Sequence, residues 1–318
     1  MKLPKSSSSF CNMEIDKRLR QASQKAGVFM EFLSTLINGL SLGGRYAMIA
    51  LGYTMVYGIA KMLNFAHGDI IMVGAYTIYI FMAMNQPVIA IVAAILVCVL
   101  FGVLIEKIAY KPLRGASPLA VLITAIGVSY LLQSLAQIVF GSANKMVNGF
   151  EFGMVKFLGA DIQVSELITL GAATAVMVAL TLFVKYTRTG RAMIAVSEDK
   201  GAAQLMGINV NRIIMITFAI GSALAALAGL FYLFKSPSVS NNLGAMPGIK
   251  AFTAAVIGGI GSIPGAMLGG LLLGIIESVS YKIAAIAPYT DAIEFSILIV
   301  ILLIRPTGFL GKKRREKV

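Results

Sequence analysis

Apolar residues in this chain come in long runs separated by short polar breaks, from near residue 30 to near residue 304. A run of roughly 18 or more apolar residues is long enough to cross a bilayer as a helix. The pattern predicts an all-α, polytopic integral membrane protein with about eight transmembrane helices. They fall at Phe32–Ile59, Asp69–Met84, Val88–Glu106, Leu119–Phe140, Leu167–Tyr186, Ile213–Phe234, Ala251–Ser280 and Ile293–Ile304. One polar stretch stands out between the fifth and sixth runs, Arg188 to Arg212, reading RTGRAMIAVSEDKGAAQLMGINVNR. Its middle, Ala192 to Gly207, has helical amphipathicity: Ala192, Ala195, Ala202, Ala203, Leu205 and Met206 alternate with polar residues, and Gly207 ends the pattern.

Loop charge orients the spans, because basic residues concentrate in cytoplasmic loops. Lys107, Lys111 and Arg114 mark one such loop, and Lys185, Arg188, Arg191, Lys200 and Arg212 mark the 188–212 stretch. The C-terminal segment 311–318, with Lys312-Lys313-Arg314-Arg315, marks a basic cytoplasmic tail. The loop from Gly141 to Glu166 balances its charges and belongs outside. Between an outside end near Lys235 and an inside tail the chain must cross an odd number of times, yet only two runs are available. The run AFTAAVIGGIGSIPGAMLGGLLLGIIESVSY supplies a third crossing if it is two short helices meeting at Gly261-Ser262-Ile263-Pro264-Gly265, a turn signal. One long kinked helix is the alternative. Counting back from Lys107 places residue 30 outside, which fits poorly with a basic segment before it. Either that segment is not translated, with Met30 as the start, or Phe32–Ile59 passes more than once around Gly43-Gly44-Arg45.

Composition agrees with a membrane protein: 58% hydrophobic and only 13% charged residues, against about 25% charged in soluble domains. The net charge of +13 resides in loops and ends, as membrane topology demands, and does not form a nucleic-acid surface. Residues 1–29, with Ser6–Ser9 followed by Lys17, Arg18, Arg20 and Lys25, are expected to be a disordered basic tail. They lack the apolar core of a secretory signal. The two cysteines, Cys11 and Cys98, fit neither a disulfide framework nor a metal site.

Candidate chemistry is sparse. The break at Lys61–Asp69 gathers Asn64, His67, Gly68 and Asp69, with His67 the only histidine. It reads either as a structured turn beside the translocation path or as an ordinary interhelical turn. In both, Asp69 suits the N-terminus of the next helix. Catalysis by His67 would need a base partner or metal ligands that the sequence lacks. Gly258, Gly259, Gly261 and Pro264 mark the second break. Non-helical backbone at membrane depth survives only against protein or a water-filled cavity. Arg45 and Glu277 are charges within apolar runs, each either lining a polar path or forming a structural pair. The small residues Gly221–Gly229 permit close helix packing. There is no GxxxxGK[ST] and no HExxH, so nucleotide hydrolysis and zinc-peptidase chemistry are not expected of this chain. An ion-coupled carrier working alone would need more intramembrane acids than Asp69 and Glu277. The substrate path is expected to be weakly polar, with hydrogen bonds from backbone freed at the two breaks.

At this point the chain resembles the permease subunits, of Liv H type, of high-affinity branched-chain amino-acid ABC transporters. The likeness lies in NGLSLGGRYAMIALGYTMVYGIAKMLNFAHGDIIMVGAY (Asn38–Tyr76), GRAMIAVSEDKGAAQLMGINVNR (Gly190–Arg212), MPGIKAFTAAVIGGIGSIPGAMLGG (Met246–Gly270) and RPTGFLG (Arg305–Gly311). It covers about residues 30–310, in order. The resemblance implies a non-enzymatic permease of the bacterial inner membrane that pairs with a second related permease. It also implies two cytoplasmic ATPases, which bind the ATP, and an extracytoplasmic substrate-binding protein; the permease itself carries no cofactor. The 188–212 segment would be the coupling helix, with Arg191, Ala192, Glu198, Asp199, Ala203 and Gly207 against the ATPase. Leucine, isoleucine and valine are the substrates implied; urea, short amides and other amino acids are the alternatives within the same architecture.

Overall fold

A computed structural model describes residues 7–150, 152–157 and 160–311. Its helices are α1 (Ser7–Ala60), α2 (His67–Ala83), α3 (Pro87–Ile105, continued by a π turn over Glu106–Tyr110), α4 (Pro118–Phe140) and α5 (Val164–Tyr186). They continue as α6 (Arg188–Glu198), α7 (Lys200–Leu205), α8 (Val210–Lys235), α9 (Ala245–Gly258), α10 (Ile263–Lys282) and α11 (Thr290–Ile304). Four short strands lie in the loops expected outside. β1 (Lys145–Met146) pairs with β4 (Ser238–Val239), and β2 (Met154–Phe157) with β3 (Ala160–Gln163), both antiparallel.

Among the described residues, six helices are long and apolar enough to cross a bilayer; His67–Ala83 and Ala245–Gly258 are shorter. The first apolar run, Phe32–Ile59, lies within α1 as one continuous helix, so of the two alternatives the one with more than one pass around Gly43-Gly44-Arg45 does not hold. Those glycines serve packing instead. A Cβ on Gly43 would stand 2.7 Å from Leu271 Cα, and one on Gly274 would stand 2.1 Å from the Gly43 nitrogen. Small residues spaced four apart, Gly39, Gly43 and Ala47 on α1 against Gly270 and Gly274 on α10, bring the two backbones together. With α8 on its other side, α1 becomes the central, buried column: residues 46–51 are all within the core. Apolar side chains left on the surface, such as Val92 and Leu96 of α3 and Leu303 of α11, suit lipid or another apolar chain.

The seventh run is two helices. α9 ends at Gly258 and α10 begins at Ile263. Gly259 and Gly261 between them take φ values of 107° and 92°, in the left-handed half of the map where only glycine sits without strain. Ser262 caps α10, its Oγ accepting from Gly265 N at 3.2 Å, with Pro264 in the first turn where its missing N–H costs nothing. The run is thus two separate helices rather than one kinked helix, with α9, at 14 residues, the shorter. The segment 305–311 closes this turn: Phe309 N donates to Ile257 O and Leu310 N to Gly258 O, both at 2.9 Å, satisfying end carbonyls of α9.

The backbone of residues 7–29, expected as a disordered tail, is helical and continuous with α1. Once a helix is nucleated, each further residue adds one hydrogen bond at low entropic cost. Residues 1–6 of that tail and the basic C-terminal residues 312–318 lie outside the described residues.

Candidate translocation and coupling site

The two breaks converge. A Cβ on Gly58, at the foot of α1, would meet Gly261 Cα at 3.4 Å, so the α1 exit and the α9–α10 turn touch. After Ala60 the chain runs without helix from Lys61 to Ala66 and starts α2 at His67. That start lies beside Gly52 of α1: a Cβ there would stand 2.3 Å from His67 Nε2. At about 1.5 Å rise per residue, Gly52 sits about 12 Å up α1 from Ala60. The α2 N-terminus is therefore inside the bundle rather than at its surface. The α9 N-terminus meets it there, with Gly244 and Gly248 against Gly68. Two helix starts thus face each other within the bundle, bringing the positive ends of their dipoles together.

Each sequence-predicted residue of the first break has a definite place. Asn64 is buried, and its Oδ1 accepts from Tyr110 Oη at 2.9 Å. His67 is buried with its ring edge-on to Tyr53, centroids 4.8 Å apart, and fits a packing role. Gly68 gives α9 its close approach. Asp69, in the first turn of α2, accepts from Gln133 Nε2 of α4 at 2.8 Å. Asn64, Tyr53, Tyr57, Met62, Phe252 and Ile260 surround a cavity of only about 10 Å³. In the second break, Gly258, Gly259 and Gly261 make the turn, and Pro264 starts α10.

The 188–212 segment, expected on the cytoplasmic side, forms two helices, not the single helix expected over Ala192–Gly207. Asp199 divides them: its extended backbone (φ −150°, ψ 114°) ends α6, and its Oδ1 caps α7 by accepting from Gly201 N at 2.8 Å and Ala202 N at 3.0 Å. An aspartate followed by Lys-Gly is an N-cap signal. α6 is itself capped by Thr187, whose Oγ1 accepts from Gly190 N at 3.0 Å. Gly207 (φ 81°) ends the hairpin in the left-handed conformation. Of the residues expected to face an ATPase, Arg191, Glu198, Asp199 and Gly207 are exposed, Ala192 is half-buried, and Ala203 is buried. Leu205 and Met206 were not singled out by sequence as contact residues, yet they are 90% and 83% exposed. An apolar pair so exposed at a helix end invites a protein partner.

The hairpin is tied to the breaks. Lys200 Nζ, in the first turn of α7, donates to Ala60 O at 2.9 Å, capping the end of α1. Its burial there, with Arg114 nearby, holds the ammonium below the ordinary lysine pKa. Arg114 bridges Glu106, at the end of α3, to Asn211, at the start of α8.

Away from the breaks lies a buried ionic set. Lys250 of α9 pairs with Glu277 of α10 (3.1 Å) and with Asp291 (2.8 Å) and Glu294 (3.3 Å) of α11. Tyr46 of α1 donates to Glu277 at 2.7 Å. Arg45 stacks on Tyr232 with 5.4 Å to the ring centroid, lies 4.0 Å from Glu166, and donates to Phe231 O at 3.3 Å. Of the two charges left open by sequence, both are engaged by neighbouring side chains of the bundle.

The structure is a helical bundle with interrupted helices meeting inside it and a capped helical hairpin between α5 and α8, the architecture of a polytopic membrane protein. The chain belongs to the family described as "Branched-chain amino acid transport system / permease component", whose sequence model matches residues 35–302. It is 44% identical over 302 residues to the high-affinity branched-chain amino acid transport system permease protein BraD of Pseudomonas aeruginosa, covering 90% of this chain and 98% of that one. It is 42% identical over 305 residues to the permease LivH of Escherichia coli, covering 91% and 99%. It is 30% identical over 288 residues to a probable branched-chain amino acid permease LivH of Methanocaldococcus jannaschii, covering 83% and 88%. This chain is an integral membrane permease.

Proposed function

We propose that this permease carries leucine, isoleucine and valine inward as one half of an ABC importer's membrane path in the bacterial inner membrane. The observation that carries the reading is end-to-end identity of 44% and 42% to permeases named for branched-chain amino acids. A second related permease forms the other half. Two cytoplasmic ATPases supply the energy and an extracytoplasmic binding protein supplies the substrate. The chain itself catalyses no reaction; it holds no cofactor, and nucleotide is bound by its partners. The exposed Leu205–Met206 end of the hairpin, together with the exposed Glu198 and Arg191, is the ATPase contact. Lys200 carries motion of the hairpin to the foot of α1. Largely apolar walls between the breaks support a substrate with an aliphatic side chain. The test is uptake of labelled leucine by cells expressing the whole system, with unlabelled isoleucine, valine, urea or acetamide as competitors. Competition by isoleucine and valine alone supports the reading; competition by urea or acetamide with no effect of isoleucine overturns the substrate assignment.

A further inference from the structure

We infer that the small cavity between the two helix breaks is the collapsed form of this subunit's substrate subsite, with Asn64 as the donor to the substrate carboxylate. The inference rests on the branched-chain importer reading and names the residues that would discriminate within it.

Three observations meet at this point. The first is backbone: residues 61–66, at the foot of α1, and the turn 259–262 lie against each other, and both supply cavity wall through Met62, Asn64 and Ile260. Non-helical chain inside a membrane bundle is tolerated against protein or beside a cavity, and here it does both. Among the described residues, no main-chain hydrogen bond is donated by the amides of 62–66.

The second is a polar atom. Tyr110 Oη holds Asn64 through Oδ1, which fixes the side-chain amide. Its Nδ2 has no hydrogen-bond partner among the described residues, although Asn64 is only 2% exposed. A buried amide donor left without an acceptor is unfavourable, and a bound acceptor would satisfy it. The unpartnered groups here include donors: the Asn64 NH₂ and the main-chain N–H groups just before the α2 N-terminus. Such a set suits a carboxylate.

The third is the wall. Tyr53, Tyr57, Phe252 and Ala255 close the rest with aromatic rings and a methyl. That surface accepts an aliphatic side chain and offers it no hydrogen bond. The volume of about 10 Å³ holds about one water. The subsite is therefore shut, and the rings of Tyr57 and Phe252, both half-buried, are the parts that must move to open it.

Volume changes in opposite directions test the wall, and an isosteric change tests the donor. Uptake of labelled valine and leucine is measured with the complete complex, and co-purification of the ATPase subunits serves as the assembly control. Ala255→Val narrows the site and is expected to raise the valine-to-leucine uptake ratio about tenfold, the discrimination that a methylene or two supplies in an apolar pocket. Phe252→Leu widens it and is expected to move the ratio the other way. Asn64→Asp keeps the acceptor for Tyr110 but turns a carboxylate oxygen toward the substrate; leucine uptake falls at least about tenfold, the loss of one charge-assisted contact. If Ala255→Val does not assemble, Phe252→Leu and Asn64→Asp decide. Unchanged ratios with Asn64→Asp at wild-type uptake overturn the subsite while leaving the importer reading intact. A wild-type complex that imports urea and no leucine overturns the importer reading instead, and the same variants assayed with that substrate then locate the path.

Discussion

Lys250 pins three helices from inside the bundle, and replacing it with methionine should destabilise the outer half of the protein. The ammonium sits 3.1 Å from Glu277 and 3.3 Å from Glu294, whose side chains are 8% and 0% exposed. At about 3 Å and an effective dielectric near 20, each such pair gains about 5 kcal/mol of Coulomb energy before desolvation is subtracted. The net worth of the network is smaller, but removing its cation strands two carboxylates without a counter-charge, at a cost of about 3–5 kcal/mol. Asp291, half exposed, keeps its water and adds little. The chain has no tryptophan, so unfolding is best followed with a thiol-reactive fluorophore at Cys98, which is fully buried, in a Cys11→Ser background. Lys250→Met should lower the melting midpoint in detergent by roughly 10 °C. Lys250→Met/Glu294→Gln should recover part of that loss, because the second change removes a stranded charge. A single variant melting within about 2 °C of the parent, with no difference on adding Glu294→Gln, would refute the reasoning.

Three further outcomes are expected. Gly43→Val puts a β-branched side chain where a Cβ already stands 2.7 Å from Leu271 Cα; α1 and α10 must separate, and the variant should be recovered at several-fold lower yield as folded protein by size exclusion, whereas equal yield would show that the interface yields easily. Gly207→Val meets no atom within 4 Å but must hold φ near 81°; the local cost is about 1–2 kcal/mol, and stimulated ATPase activity should fall while the membrane part melts normally. Lys200→Met removes the cap on Ala60 O and should reduce uptake per ATP hydrolysed without loss of ATPase binding; an unchanged ratio would disconnect the hairpin from α1.

The sequence pattern located the eight apolar segments, and the helix break around Gly261 followed from counting charges and crossings. Gly207 was readable as a helix stop because a left-handed C′ position selects glycine. Asp199, expected as an ATPase contact, also has the chemistry of a helix cap, a role hidden in the sequence because the amphipathic period continues across it. The ionic network was out of reach for a physical reason: Lys250 and Glu166 lie next to segment edges, where charges are ordinary, and only the re-entry of α9 into the bundle and the burial of the first turn of α5 place them inside. Gly43-Gly44 looked like a break because two adjacent glycines weaken a helix. In the fold, close packing against α10 and α5 outweighs that propensity.

The most direct measurement is uptake of labelled leucine into proteoliposomes that hold the purified complex of this chain with its partner permease and ATPases, with binding protein supplied on the substrate side. Leucine should accumulate against its gradient only when ATP is present on the ATPase side, and Leu205→Asp/Met206→Asp, which places two charges on the exposed hairpin end, should abolish that accumulation. ATP-independent accumulation, or full accumulation by the doubly charged variant in an assembled complex, would contradict a permease driven through its cytoplasmic hairpin.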